Sequence, residues 1–514
     1  MADIVIIGAG PAGLTAALKL SEPNGDNIIV LEESGAIGGI SRTVRHNCNR
    51  MDIGGHRFFS KDDRITDLWK DILPLQGKRA FDDKILDRPC VLTEGGPDPE
   101  VSDDVMLVRH RISRIYYKKH FFDYPVSLKW ETIKNMGFFT TLRAGLSYIF
   151  SAIFKRKETN LENFYINRFG KVLYGMFFEG YTAKLWGRSP KEISAEWGAQ
   201  RVKGLSIRAM LKDIFAKIFK KKNRKVETSL IEEFWYPKLG PGQLWEKVAD
   251  IVKSRGVKIV FNAKVDKIIM KDGKVVAVQA LTGDGQTVEY SVDKLISSMP
   301  VKDLVSGMSQ APEQIVKIAQ GLPYRDFVTV GIKVDRLKLI NKTKIKTLNG
   351  IVPDCWIYVQ DTGVKLGRIQ IFNNWSPYMV DEPERYVWMG LEYFCDEGDE
   401  FWNMSEQDTI NLAVDELKKI GVLDQTSTVY DSHLERVKKA YPAYFDTYSQ
   451  FDLVKKYLSS VENLYCVGRN GQHRYNNMDH SMLTAIICAD AIKSGAAADC
   501  VWDVNTEKSY HESK

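Results

Sequence analysis

Hydrophobic and polar positions divide this chain into stretches of distinct period. A short apolar run over 4–7 stops at Gly8 and continues through Gly10 and Gly13 into an Ala/Leu-rich pattern with helical spacing. A second apolar run over 27–31 ends in Glu32. The predicted order is strand, tight turn, helix, strand. Residues 61–110 are mixed, with a turn-rich loop or hairpin tip at 94–99. Residues 111–125 alternate as strands do, and long amphipathic stretches from about 127 to 220 predict helices. Strand patterning returns in five runs, 257–261, 264–270, 275–281, 287–290 and 294–298. More strands are predicted over 325–395, helices over 405–420, and a strand, glycine loop and helix over 463–493. No internal repeat is visible. The pattern predicts an α/β chain whose first and last segments build one domain, with other domains threaded through it.

The glycines at the first turn have separate tasks. Gly8 permits the turn, Gly10 lets a pyrophosphate approach the backbone, and Gly13 lets helix and strand pack closely. The helix N-terminus then faces the anion. Glu32 stands at the spacing that reaches a ribose hydroxyl, and a free carboxylate there favours an adenosine with an unphosphorylated ribose. An ordinary βαβ unit with glycine at a tight turn does not demand all four features together.

Composition narrows the setting. The 514 residues are 44% hydrophobic, enough for two or three domains with substantial cores. A net charge of +6 suits an anionic ligand without demanding nucleic acid. Seven scattered cysteines with no Cys-x-x-Cys suggest a reducing compartment and no structural metal. The first apolar run lacks a basic n-region and a cleavage site, and no apolar stretch reaches the roughly 18–20 residues that span a bilayer. These features predict a soluble, cytoplasmic protein. The basic cluster at 217–225 reads first as a solvated helix end and second as a peripheral contact with anionic lipid or another polyanion. Oligomeric state is not legible.

A Gly-x-Gly-x-x-Gly turn holds NAD or FAD, and three further features favour FAD. Gly38-Gly39 follows Glu32 closely and leads to Ser41-Arg42, a basic group for the cofactor phosphates. Gly54-Gly55-His56 lets backbone approach a flat ring. Val467-Gly468-Arg469 follows a strand, and the helical run after Asp479, with Ser481, offers unpaired N–H groups to flavin oxygens. Taken singly, each glycine pair is a turn; together and in this order they point to bound FAD.

These segments resemble those of the UDP-galactopyranose mutases, particularly the eukaryotic-like branch, within the superfamily of amine oxidases and protoporphyrinogen oxidases. The likeness runs almost end to end. Gly54-Gly55-His56 with Phe58 and Ser60 is similar to the histidine loop that lies against the flavin in that family. Gly180-Tyr181-Thr182-Ala183-Lys184-Leu185-Trp186 resembles its Gly-Tyr-x-x-Lys-x-Trp, with the Trp beside uridine. Arg201 falls where the family carries one diphosphate arginine, and Arg368, ahead of 372–378, resembles the other. Tyr441 and Tyr475, with Asn477 and the 479–481 segment, are similar to the stretches that supply diphosphate-binding tyrosines and a flavin contact.

The resemblance implies a Rossmann-like FAD-binding domain of the GR2/amine-oxidase type, with an inserted helical domain and a β-sheet substrate domain. The implied segments are 1–75, 236–310 and 451–514 for FAD, 127–235 for the helical domain, and 76–126 and 311–450 for the substrate sheet. The implied cofactor residues are Gly8, Gly10, Gly13, Glu32, Gly39, Arg42, Gly55, Val265, Gly468, Arg469, Asp479 and Ser481. Tyr181, Trp186, Tyr441, Tyr475 and Asn477 would bind substrate, and Arg201, Arg368 and His56 would serve catalysis, His56 by positioning its loop. Arginine offers a planar bidentate donor and a phenol one short donor, which suits a diphosphate. Structural ion pairs and core packing are the competing readings for these arginines and aromatics. The implied reaction is ring contraction of a nucleotide-diphosphate sugar of the UDP-galactose kind. It runs through an adduct between sugar and N5 of reduced FAD, with NAD(P)H as a transient reductant, in cell-surface polysaccharide synthesis. The alternatives are an FAD-dependent oxidoreductase of the amine oxidase or protoporphyrinogen oxidase type, and a non-catalytic flavoprotein of a polysaccharide assembly.

Overall fold

The computed structural model describes residues 2–21, 26–124, 126, 130–195, 198 and 233–504. The first apolar run forms the strand Asp3–Ile7, the centre of a five-stranded parallel sheet. Its order is Leu464–Cys466, Lys294–Ser297, Asp3–Ile7, Asn27–Leu31, Lys258–Val260. Strands from both ends of the chain therefore lie two places apart. Their nearly unbroken apolar character reflects burial on both faces, as parallel strands require. The helix Pro11–Leu20 packs against Met478–Ser494 and Gly242–Ser254, and Ile4, Ile6, Leu14, Val30, Trp245 and Ile296 share one core. An antiparallel sheet of Ala263–Lys271, Lys274–Thr282 and Thr287–Ser291 follows, close to the predicted runs.

A second, seven-stranded sheet carries the other large core. Its order is Val429–Pro442, Tyr324–Val334, Val387–Cys395, Arg368–Ile371, Trp356–Val359, Ser113–Tyr117, His120–Asp123. All neighbours are antiparallel except Trp356–Val359 beside Ser113–Tyr117. Register places Arg368 opposite Glu392, and Arg325 opposite Tyr441. Two small hairpin-like pairs link the layers. One, Met106–His110 with Glu233–Pro237, joins segments distant in sequence, so local periodicity did not reveal it.

Between residues 130 and 186 the predicted helices appear as Trp130–Met136, Phe138–Ile153, Leu161–Tyr174 and Gly180–Trp186, the last two joined by a π-turn. Gly170 interrupts one of them at φ +78°, and a Cβ there would sit 2.8 Å from the Tyr148 nitrogen. Only glycine allows that approach. The basic cluster at 217–225 lies outside the described residues. All seven cysteines are free. Among the described residues, no helix is long and apolar enough to cross a membrane.

One buried acid joins the layers. Asp52, at the end of the strand Asn49–Asp52, accepts hydrogen bonds from the Thr43 hydroxyl at 2.9 Å and from the Tyr236 hydroxyl. Burial pushes its carboxyl up from 3.8 to about 7, against the pull of those two donors. The folded protein thus holds a proton that the unfolded chain releases. This contribution to stability is complete below pH 3.8 and is lost as pH rises through about 7. The slope from this group reaches up to about 1.4 kcal/mol per pH unit. Asp52→Asn should remove that slope, so denaturant melts at about pH 6 and about pH 8 should differ less in the variant than in the parent. Equal slopes would show that Asp52 does not titrate in this window.

Candidate active site

The dinucleotide turn is built by steric exclusion. Gly8 adopts φ +99°, and a side chain on it would strike the Ser298 hydroxyl. A Cβ on Gly13 would strike the Gly8 carbonyl oxygen, so helix and strand meet backbone to backbone. Gly10 differs: it is extended at φ −84°, and its nearest obstacle to a Cβ is the Gly39 Cα at 3.7 Å. The protein therefore leaves space over Gly10, at a helix N-terminus with no side-chain cap. Glu32 steadies the same loop, accepting from the Ala9 nitrogen at 2.7 Å and the Ser34 hydroxyl at 2.6 Å. Val265, 5% exposed, follows Ala263, whose nitrogen donates to the Glu32 carbonyl. These features fit a dinucleotide: open space and orphan N–H groups for phosphate, and a carboxylate beside them for ribose.

Arg42 lies after the second glycine pair, where Gly39 adopts φ +54° and packs on Gly10. Its guanidinium is paired with Glu435 at 3.1 Å. Burial pushes the Glu435 carboxyl up, but His433 and Arg42 together hold it below its ordinary value.

The C-terminal turn closes on the first. Gly468, at φ +78°, has no room for a Cβ, which would sit 2.8 Å from that of Ala12. Arg469 donates to the carbonyls of Asn476 at 2.8 Å and Ala440 at 3.0 Å. Its guanidinium lies 4.7 Å from the Tyr475 ring and 5.7 Å from that of Tyr441. Those two rings stack at 5.8 Å and 15°. Asn477 caps the helix Met478–Ser494 in a capping box with His480. Ser481 donates to the Asn477 carbonyl at 3.1 Å, and Asp479 lies 3.7 Å from His480.

Beside the aromatic pair stands Arg368. It donates from Nε to the Tyr181 hydroxyl at 2.8 Å, and its Nη1 lies 3.2 Å from the Glu392 carboxylate. The Phe394 ring is 5.0 Å from its guanidinium carbon. Nη2 has no hydrogen bond among the described residues. Burial pushes the Glu392 carboxyl up, while Arg368 and a 3.1 Å bond from Gln370 pull it down. Burial pushes the Tyr441 phenol up to about 12 against the nearby Arg368, so it is a neutral donor. The other oxygen-bearing end of Gln370, Oε1, is buried without a donor and stands near Gly55. His56 donates from Nδ1 to the Gly54 carbonyl at 3.0 Å, a tautomer assigned from that bond. Burial, with Arg469 and Arg368 nearby, pushes its imidazole down to about 4. At neutral pH it is uncharged.

The structure thus brings Arg368, Tyr181, Tyr441, Tyr475, Arg469 and His56 together. Arg201 lies outside the described residues. Two of the expected substrate residues have other engagements. Trp186, expected beside a base or sugar, is 2% exposed, in one core with Leu161, Phe164 and Tyr174, its ring meeting Phe445 edge-on. Asn477, expected on substrate, has its side chain engaged in the helix cap. Sequence reasoning missed Glu392, Gln370 and Phe394. A lone acid in the otherwise apolar strand Val387–Cys395 was the available signal. Lys184, quoted in the sequence motif without a role, donates its ammonium to the carbonyls of Val359, Asp361 and Leu366 at 3.2, 2.9 and 2.7 Å. That contact ties the helix bearing Tyr181 to the strand neighbouring Arg368.

The family described as flavin containing amine oxidoreductase matches residues 11–493. Flavin-containing amine oxidase A of Sus scrofa is 41% identical over 73 residues, 14% of this chain and 14% of that protein. The same enzyme of Equus caballus is 30% identical over 138 residues, 27% of this chain and 23% of that protein. The matches thus span under a quarter of these curated relatives. In overall structure the chain is similar to a reduced UDP-galactopyranose mutase, with a TM-score of 0.76 and 22% identity over 98% of this chain and 99% of that one. It is also similar to a putrescine oxidase bound to putrescine, at 0.57 and 13% identity over 96% and 99%. At these identities the likeness is one of fold.

The contrast between two glycines gives a test. Gly10→Ala meets only ordinary contact with protein and has an allowed backbone, so it should fold with a near-parental melting temperature yet lose bound flavin. Gly13→Ala collides with backbone and should lower the melting temperature as well. Full flavin occupancy in purified Gly10→Ala, read from its absorbance, would place the dinucleotide elsewhere.

Proposed function

The chain belongs to the flavin containing amine oxidoreductase family, and on that premise we propose that it is an FAD-dependent nucleotide-sugar mutase. It would interconvert the pyranose and furanose forms of a UDP-galactose-like substrate for surface polysaccharide synthesis, with NAD(P)H as a transient reductant. The observation that carries this reading is Arg368, half-buried between Tyr181 and the fully buried Glu392 beside the stacked Tyr441 and Tyr475, with the His56 loop nearby. When bound and reduced, the flavin supplies a nucleophile for the anomeric carbon.

The chain's residues would hold the diphosphate. Arg368 presents Nη2, and the phenols of Tyr441 and Tyr475 add donors without a charge to desolvate. Arg201 would complete the clamp. Glu392 keeps Arg368 aimed, and Lys184 holds the Tyr181 helix against the same sheet. The aromatic walls Tyr441, Tyr475 and Phe394 exclude water while the sugar ring opens and recloses. The buried acceptor Gln370 Oε1, near Gly55, is placed to take an N–H or O–H from a bound ring.

A second reading, oxidation of an amine or porphyrinogen, has one observation in its favour: Glu392 offsets the charge of Arg368, which lessens the pull on an anion. Substrate tests separate the two. Incubating the dithionite-reduced protein with UDP-galactopyranose should yield furanose product without oxygen uptake. Oxygen consumption with an amine, and no furanose, would favour the second reading.

UDP should raise the melting temperature of the reduced protein. Arg368→Ala alone strands a buried carboxylate and should cost about 3–5 kcal/mol in stability. The paired variant Arg368→Gln with Glu392→Gln removes both charges and should fold. It should bind UDP about a hundredfold more weakly, the worth of one or two charged hydrogen bonds. Unchanged UDP affinity by calorimetry would remove Arg368 from the diphosphate site. The purified protein should also be yellow and bleach under dithionite.

A further inference from the structure

The helix Phe138–Ile153 is packed the opposite way from an ordinary surface helix. Toward the protein it buries Ala144 and Ser151, and Gly170 allows the neighbouring helix to touch its backbone. Its large apolar residues point outward: Phe138, Leu142, Leu146, Ile149, Phe150 and Ile153 are each more than half exposed. At about 100° per residue these six fall within one sector of about 120°, opposite the buried small residues. Contiguous apolar faces of this kind mark contact surfaces. The helix is about 24 Å long, too short to span hydrocarbon but suited to lying in an interface.

Charge selects the occupant. From residue 132 to residue 157 the sequence contains Lys134, Arg143, Lys155, Arg156 and Lys157 and no acid. Two copies paired about a two-fold axis across this helix would set Lys134 of one against Arg156 and Lys157 of the other, which repel. An anionic lipid surface meets the same charges favourably. Beside the stripe lies a groove of about 620 Å³ lined by Lys118, His120, Arg143 and Lys171, with Glu162 and Glu179 as its acids. It is large enough for a phosphate headgroup. Trp130, 77% exposed at the start of the preceding helix Trp130–Met136, is a residue type favoured at bilayer interfaces.

We propose that this helix lies in the plane of an anionic membrane, with Phe138, Leu142, Leu146, Ile149, Phe150 and Ile153 among the acyl chains and the flanking cations at the headgroups. This inference does not rest on the reaction proposed above. The full chain should sediment with phosphatidylglycerol-containing vesicles and bind phosphatidylcholine vesicles at least about tenfold more weakly, because the cations contribute to anchoring. Leu142→Glu with Leu146→Glu, both on the exposed face, should keep the melting temperature and flavin content and reduce vesicle binding by about tenfold or more. Arg156→Glu with Lys157→Glu should abolish the preference for anionic vesicles. Three results would overturn the proposal. One is a wild-type chain that stays in the supernatant. Another is a vesicle-free dimer dissolved by the Leu142/Leu146 variant. The last is a monomer whose residues 138–154 are already shielded from hydrogen exchange without lipid.

Discussion

A carboxylate cannot be buried in a β-sheet unless the sheet brings a cation to it, and Glu392 beside the half-buried Arg368 imposes that constraint here. Glu392 stands opposite Arg368 on the adjacent strand, so one register satisfies both charges. Either group alone would be destabilising in that position, because desolvation of an unpaired ion costs several kcal/mol. A slip of one residue would send Glu392 to the other face of the sheet. Tyr181 and Gln370 complete the shell, and Lys184 braces it through three carbonyls. The candidate substrate pocket and the order of the large sheet are thus one problem with one solution.

The flavin end obeys a different constraint, absence of side chains. Gly8, Gly13 and Gly468 are positions where a Cβ meets protein atoms, and Gly10 is where it does not. The contact between Gly468 and Ala12 brings the last glycine turn onto the first helix, so both chain ends line one site. Arg469, from that turn, then lies over the aromatic pair near Arg368. The C-terminal glycine turn and the Arg368 cluster therefore share a wall through Arg469, Tyr441 and Tyr475. The neutral His56 adds no charge to that wall.

The outward-facing apolar helix is a separate feature on the same scaffold. It buries only the small residues Ala144 and Ser151, Gly170 of the neighbouring helix touches its backbone, and its large outward residues contribute nothing to the core. A sequence pattern cannot reveal which face of such a helix looks outward, because Phe138 and Leu146 read as core residues until the packing is seen.

The sequence by itself determined the dinucleotide turn and the strand–helix order at both ends, because these are local. A glycine spacing and a period of two each act over a few residues. Arg368, Tyr181, Tyr441 and Tyr475 were singled out only through family resemblance, since an arginine or tyrosine in a strand, helix or loop reads equally as packing. The tertiary structure decided the rest. It paired Arg368 with Glu392, turned Trp186 into the core, engaged Asn477 in a cap and buried Asp52 between layers. Apart from the local Asn477 cap, these outcomes depend on which strand or helix lies alongside, and side-chain periodicity carries no information about a partner 184 residues away, as Tyr236 is from Asp52.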